Sequence, residues 1–285
     1  MVKYTEDNEE WNKNWREREE AHYIHWTRDD PQNQIQLAFR NHWLLFNEFM
    51  KNPLFGGGNR ALEVGCGRGS LSAYFSDAGY HCTLLDRSEE VVELARDIFE
   101  SKGLEGRFMV GDAYALDLPD SSIDVVFSIG VFEHFDDIET PILEQVRVLD
   151  HGGLFIAYIV PEYTDNVQKS YSWINTLLKG YAAAAKETLG FVTPKEDVFR
   201  SDRGSDRYLP YLEKAGLLGI SASGVYPLPM ISHSIEFPFS LMPEDSERAV
   251  VEVFAEMLKN NTEFPHPWMC EEGYGNAFVV WGYKP

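Results

Sequence analysis

The stretch Glu63-Val64-Gly65-Cys66-Gly67-Arg68-Gly69 gathers the residues of this sequence best able to hold a ligand. A short apolar run, Ala61-Leu62-Glu63-Val64, leads straight into three glycines at alternate positions, and a helical pattern follows from Ser70 to Ala78. Glycines at a strand-to-helix turn let the backbone approach a ligand closely and aim its N–H groups at it. A dinucleotide loop asks for Gly-x-Gly-x-x-Gly. Here the spacing is Gly-x-Gly-x-Gly, and Ser70 stands where the third dinucleotide glycine would fall. Glu63 also argues against a pyrophosphate, because a carboxylate beside the loop repels phosphate and suits a cationic group. Asp86 closes the apolar run His81 to Leu85, Gly111-Asp112-Ala113 follows Arg107 to Val110, and Ile129 ends Ile123 to Ile129. Just beyond, Val131-Phe132-Glu133-His134-Phe135 offers an imidazole able to take a proton near neutrality. The same residues can equally serve as a packing or helix-start element.

The elements that must position these groups alternate. Short apolar runs at 61–64, 81–85, 107–110, 123–129 and 154–160 read as strands, and 70–78, 89–101 and 141–149 read as helices between them. Ser88 stands as the N-cap of the second of these. This rhythm implies right-handed crossovers and a parallel sheet covered on both faces. Ahead of it, Asp30-Pro31 reads as a helix start, with Ile35, Phe39, Trp43, Phe46 and Met50 forming an apolar stripe. Trp11 and Trp15 lie one helical turn apart in a charged segment, and Gly56-Gly57-Gly58 makes a joint. After Pro161 the rhythm breaks into an aromatic segment with an Ala182 to Ala185 helix. A helix from Asp206 to Ala215, a strand from Gly219 to Val225, a helix from Pro243 to Lys259 and a last strand from Asn276 to Tyr283 follow.

Glu63 to Gly69, Asp86, Gly111-Asp112-Ala113 and Ile129, taken in order and each at a strand's carboxyl end, resemble the cofactor motifs of class I S-adenosylmethionine (SAM) dependent methyltransferases over roughly residues 60–160. The resemblance implies an α/β fold: a Rossmann-like, seven-stranded, mostly parallel sheet with helices on both faces, plus a helical N-terminal segment and lid insertions. It implies that the last strand inserts antiparallel beside 219–225. It implies SAM as cofactor, held by Glu63, Gly65, Cys66, Gly67 and Gly69. Asp86 would accept bonds from both ribose hydroxyls, with Arg87 on the adenine side, Asp112 and Ala113 at the adenine amino group, and Ile129 closing over the cofactor. His134 would face the transferred methyl as a general base. Ubiquinone-type O-methyltransferases carry a further Glu three residues before the Glu-His, where this chain has Gly130, so no metal site carries across. The Asn/Asp-Pro-Pro-Tyr motif of nucleobase methyltransferases is missing too.

Composition bounds the substrate. Across 285 residues the formal charge is −21, and no window gathers a basic patch, which argues against a nucleic-acid partner. Three scattered cysteines, Cys66, Cys82 and Cys270, support neither a disulfide framework nor a zinc site. No apolar run is long enough to span a membrane, and Met1 to Glu20 lacks a signal peptide's apolar stretch, so the expectation is a cytoplasmic protein. The domain reading is a cap segment 1–55, a SAM-binding core 56–161, a lid insertion 162–204, and a C-terminal part of the core 205–285 with an insertion 227–272. Tyr158, Glu162 and Tyr163 are candidates to line a substrate pocket. Trp26, Trp173, Tyr226, His233, Phe237, Phe239 and Trp268 either form a lid for a small-molecule acceptor or glue the insertions to the core. Two other functions stay open at this point: a SAM-binding sensor or scaffold without catalysis, and an NAD-type oxidoreductase. Oligomeric state is not legible.

Overall fold

The computed structural model describes residues 25–163, 165–184, 200–231 and 242–285. The expectations for Trp11, Trp15, Ala185, His233, Phe237 and Phe239 lie outside the described residues.

Five parallel strands form the heart of the sheet: β1 (Arg60–Val64), β2 (His81–Asp86), β3 (Arg107–Val110), β4 (Ile123–Ile129) and β5 (Leu149–Ile159). β6 (Leu218–Val225), β7 (Met269–Cys270) and β8 (Ala277–Tyr283) complete an eight-stranded sheet in the order β3-β2-β1-β4-β5-β8-β6-β7. β8 runs antiparallel to both β5 and β6, wedged between them, as the resemblance implies. The eighth strand is the two-residue β7, whose Met269 and Cys270 pair with Val225 and Gly224 at the sheet edge. It is too short to leave a periodic trace in the sequence.

Helices cover both faces: α1 (Gln34–Met50), α2 (Ser70–Asp77), α3 (Glu89–Lys102), α4 (Glu139–Val148), α5 (Val167–Ala184), α6 (Leu209–Lys214) and α7 (Glu244–Asn260). Successive strand residues point to opposite faces. Val125, Phe127, Leu154, Ile156 and Tyr158 therefore pack in one layer with Phe46 of α1, Phe75 of α2, Phe99 of α3 and Phe254 of α7. Val126, Phe155, Ala157, Phe278 and Val280 pack in the other, with Ile142 and Val146 of α4 and Leu212 of α6. The unbroken apolar runs of β4 and β5 reflect burial on both sides.

Several boundaries differ from the sequence reading, β5 among them, which starts at Leu149 and runs through Gly152 and Gly153. α1 begins at Gln34, because Asn33 adopts an extended conformation and its side chain accepts from the Gln36 N–H at 2.9 Å. Asp30-Pro31 lies before the helix. The helix read over Asp206 to Ala215 divides into a 3-10 turn at Ser205–Arg207 and α6, since Pro210 lacks an N–H and its ring crowds the carbonyl four residues back. α5 starts at Val167, well before the alanine run.

Candidate active site

The loop between β1 and α2 crosses the carboxyl ends of the strands, where open α/β sheets bind ligands. Gly65, Gly67 and Gly69 all adopt positive φ, at 71°, 51° and 67°. A Cβ on Gly65 would lie 2.5 Å from Val131 Cγ2, so the loop passes directly beneath the turn that follows β4. A Cβ on Gly69 would meet Leu84 Cδ2 at 2.5 Å and Phe99 Cε2 at 2.9 Å. Gly69→Ala combines left-handed strain of roughly 1–2 kcal/mol with overpacking of roughly 1–3 kcal/mol. Its denaturation midpoint should show a loss of about 3 kcal/mol; an unchanged midpoint would mean that the loop relaxes freely.

Asp86 ties the site together. Its Oδ2 accepts from Gly67 N at 3.2 Å and its Oδ1 from Ser88 N at 3.1 Å, while its carbonyl accepts from Gly111 N at 2.9 Å. The preceding carbonyl, Leu85 O, accepts from Gly65 N at 2.8 Å and Cys66 N at 3.0 Å. The end of β2 thus latches the glycine loop, the start of α3 and the exit of β3. Each carboxylate oxygen keeps a further lone pair for a ligand hydroxyl. Asp86 is buried, and desolvation raises its carboxyl above the usual carboxylate range against the pull of these N–H groups.

Glu63 lies deeper, 3% exposed, with Oε2 accepting from Ser72 N at 3.1 Å and Ser72 Oγ at 2.5 Å. Burial pushes its carboxyl up to about 8, and the Asp86 charge adds to this. A cation brought to the loop would reverse that shift. Cys66 is buried, and its thiol is held well above the ordinary range by desolvation, which makes it a small packing residue and not a nucleophile. Arg87 is exposed beside Asp86. Asp112 is also exposed, and its Oδ1 accepts from Tyr114 N at 2.9 Å, which fixes the turn. Ala113 is half-buried against the α4 layer, and Ile129 is half-buried against the α1 layer. The structure therefore brings Glu63, Gly65, Cys66, Gly67, Gly69 and Asp86 into one knot, with Arg87 and Asp112 on its open side.

Beyond β4, Gly130 turns at φ 66° and Phe132–His134 forms a 3-10 turn. Phe132 anchors it among Phe135, Phe155 and Tyr208. His134 is half-exposed, with Nε2 3.9 Å from Glu133 Oε1. Glu133 itself is wholly buried, and neither carboxylate oxygen makes a hydrogen bond of good geometry. Burial pushes its carboxyl up to about 7, although the backbone amides of Glu133 and Val160 and the Arg200 charge are close enough to pull it down. In the sequence the pair points to His134, and Glu133 shows there only as a carboxylate in the largely apolar run Val131 to Phe135.

The aromatic candidates divide. Tyr158, Tyr226 and Trp268 pack around His42, and Trp268 Nε1 donates to His42 Nδ1 at 2.9 Å. Trp26 packs on Tyr74. Glu162 and Trp173 are exposed, the latter at 64%. Among the described residues, no group of three or more His, Cys, Asp or Glu is placed to share a metal, and no helix is long and apolar enough to cross a membrane.

A Rossmann-like sheet whose strand tips carry a left-handed glycine loop latched to an acidic residue defines a cofactor-binding α/β domain. Residues 62–157 match the family described as a methyltransferase domain. The chain is 32% identical over 201 residues to the methyltransferase GfsG of Streptomyces halstedii, over 69% of this chain and 65% of that protein. It is 36% identical over 116 residues to ajmaline N-methyltransferase of Rauvolfia serpentina, over 40% of each chain. The solved YcgJ protein of Bacillus subtilis, 20% identical, shares the fold with a TM-score of 0.50 over 85% of this chain and 98% of that one. The matches span between 39% and 65% of the first curated relatives' own length. The chain carries a class I SAM-dependent methyltransferase domain.

Proposed function

We propose that the chain transfers a methyl group from SAM to an oxygen, nitrogen or carbon nucleophile of a small-molecule acceptor. The observation that carries this reading is the latch at Asp86, which fixes a glycine loop of the methyltransferase spacing and leaves carboxylate lone pairs for a sugar edge. The residues present suit the cofactor. Gly65, Gly67 and Gly69 leave the backbone bare, Asp86 serves the ribose hydroxyls, and Glu63 answers the positive methionine end. Arg87, Asp112 and Ala113 flank the adenine, Cys66 packs beneath the loop, and Ile129 closes one side. When bound, SAM supplies a methyl on a positively charged sulfur that leaves as a neutral thioether. The protein's share is alignment and exclusion of water, and placement alone is worth roughly 7–11 kcal/mol. His134 at the tip of β4 is a candidate base.

A small molecule is favoured because a chain of formal charge −21 repels phosphate backbones, and because a relative is named for methylating ajmaline. Of the segments expected as cap and lid, only the described part of 162–204 is assigned that role, since Phe46 of α1 and Phe254 of α7 pack in the layer on the sheet and β7 pairs with β6. Three free, buried cysteines suit the cytoplasm, a reducing compartment. Calorimetric titration with SAM, followed by incubation of the protein with labelled SAM and a metabolite extract, tests the reading. Binding with transfer of label is the expected result. Binding without transfer would make the chain a SAM-binding sensor or scaffold, and no heat at saturating SAM would remove the cofactor assignment.

A further inference from the structure

We infer that Glu133, ahead of His134, takes the proton from an oxygen or nitrogen nucleophile of the acceptor, which reaches it through the notch left by Gly130. The inference rests on the methyl-transfer reading and names the acceptor class, one whose nucleophilic atom arrives carrying a proton.

Three observations converge on the Glu133 carboxyl. Both of its oxygens are buried with no hydrogen bond of good geometry, only the backbone amides of Glu133 and Val160 lying close, although buried polar groups are nearly always well paired. A group kept in that state at the strand tips, where ligands bind, is a candidate for function and not for packing. Next, a Cβ built on Gly130 would lie 3.5 Å from Glu133 Oε1 and 4.0 Å from Val160 Cγ2. A side chain at 130 would pack against the carboxyl, so glycine keeps that approach clear of one, beside the turn whose Val131 meets the glycine loop. Finally, His134 Nε2 lies 3.9 Å from Oε1 on a side chain 21% exposed, near enough to carry a proton outward through one intervening water. The titratable groups facing Glu133 are His134 on its own turn, the Tyr158 hydroxyl from β5, the Tyr208 hydroxyl ahead of α6, and Arg200. Neither tyrosine hydroxyl is hydrogen-bonded to the carboxyl: that of Tyr158 is buried with no partner of good geometry, and that of Tyr208 lies toward Arg207 and Ser201.

The step balances. As the acceptor's oxygen or nitrogen bonds to the methyl carbon, the carbon–sulfur electron pair leaves with sulfur as a neutral thioether. The acceptor's proton passes to Glu133 Oε1, which becomes a neutral acid and later releases the proton to solvent by way of His134. With the carboxyl pushed up to about 7 by burial, transfer gains a limb that rises with pH through that value.

The test uses the full chain, methyl-labelled SAM and a methanol extract of cells as the acceptor pool, from pH 5.5 to 9. Wild type should show the rising limb. Glu133→Gln should transfer label about 100-fold or more slowly with the limb gone, while calorimetry shows its SAM affinity unchanged. Glu133→Asp should regain part of the rate on a displaced limb, and His134→Ala should slow transfer yet keep the limb. A Glu133→Gln rate within threefold of wild type on the same limb overturns the proposal and leaves methyl transfer standing. No label transfer by wild type overturns methyl transfer itself, and this proposal with it. If Glu133→Gln loses SAM binding through misfolding, Glu133→Asp decides: an unmoved limb overturns the assignment.

Discussion

Asp86→Ala should lower the affinity for SAM by about 10²- to 10⁴-fold while costing the unliganded protein little stability. A hydrogen bond from a neutral donor to a charged acceptor contributes roughly 1.5–3 kcal/mol, and two ribose hydroxyls on one carboxylate would contribute twice that. Each 1.4 kcal/mol is a factor of ten in affinity. The two effects separate because Asp86 is already buried, with a carboxyl raised by desolvation. Removing it frees the N–H groups of Gly67 and Ser88, yet it also removes the cost of holding a charge away from water. Ser88 keeps its second function, since its hydroxyl still accepts from Val91 N at 3.3 Å and caps α3. Asp86→Asn, which keeps one carbonyl oxygen, should fall between the variant and wild type. Calorimetric titration with SAM beside a denaturant melt measures both quantities. An alanine variant that binds SAM within threefold of wild type would detach Asp86 from the cofactor.

The parts legible in the sequence were those with local causes. Strands β4 and β5 announced themselves because burial on both faces demands unbroken apolar runs, β1 to β3 because short apolar runs alternate with helical stretches, and the glycine spacing showed because only glycine suits the three left-handed positions of the loop. Ser88 was readable as a cap for a similar reason: its hydroxyl serves an N–H three residues away. The parts not legible depend on distant partners. Asn33 replaced Asp30 as the cap of α1, because a buried set of bonds pins the helix start. Gln34 N donates to Glu247 Oε2 at 3.0 Å, and Ile231 N donates to Gln34 Oε1 at 2.9 Å, across roughly two hundred residues of chain. β7 exists only as a pairing with the end of β6. At the site, the sequence put weight on the imidazole of His134, since histidine titrates near neutrality without help. Glu133 reaches the same range only through burial that the fold supplies, and its one trace in the sequence is a carboxylate set among apolar neighbours.

Between pH 6.5 and 8.5 the unliganded protein should lose about 2–3 kcal/mol of stability, and Glu63→Gln should remove most of that slope. The Glu63 carboxyl keeps its proton in the folded state up to about 8, whereas in the unfolded chain it releases it near 4.5. Folding takes up a proton over that interval, so the stabilisation is whole below 4.5 and drains away as pH rises through 8. Glu133 adds a smaller contribution of the same sign that ends near 7. His25 and His42 act in the opposite sense, being depressed to about 3 by burial, but their effect is confined to pH values below 6.5. The window above 6.5 therefore excludes the histidines, while the three buried thiols, raised from 9 by burial, add a slope of the same sign only toward its upper end. One proton contributes about 1.4 kcal/mol per pH unit, so roughly 1.5 units for Glu63 give about 2 kcal/mol. Urea midpoints at the two pH values measure the slope, and an equal slope in Glu63→Gln would mean that this carboxyl is already ionised in the folded protein. The same proton predicts the behaviour of the cofactor. If Glu63 answers the cationic end of SAM, binding must expel that proton, and SAM affinity should climb by up to about thirtyfold from pH 6.5 to 8 in wild type while staying flat in Glu63→Gln. A shared flat profile would assign Glu63 to holding Ser72 and the start of α2, with no part in recognising the charge of the donor.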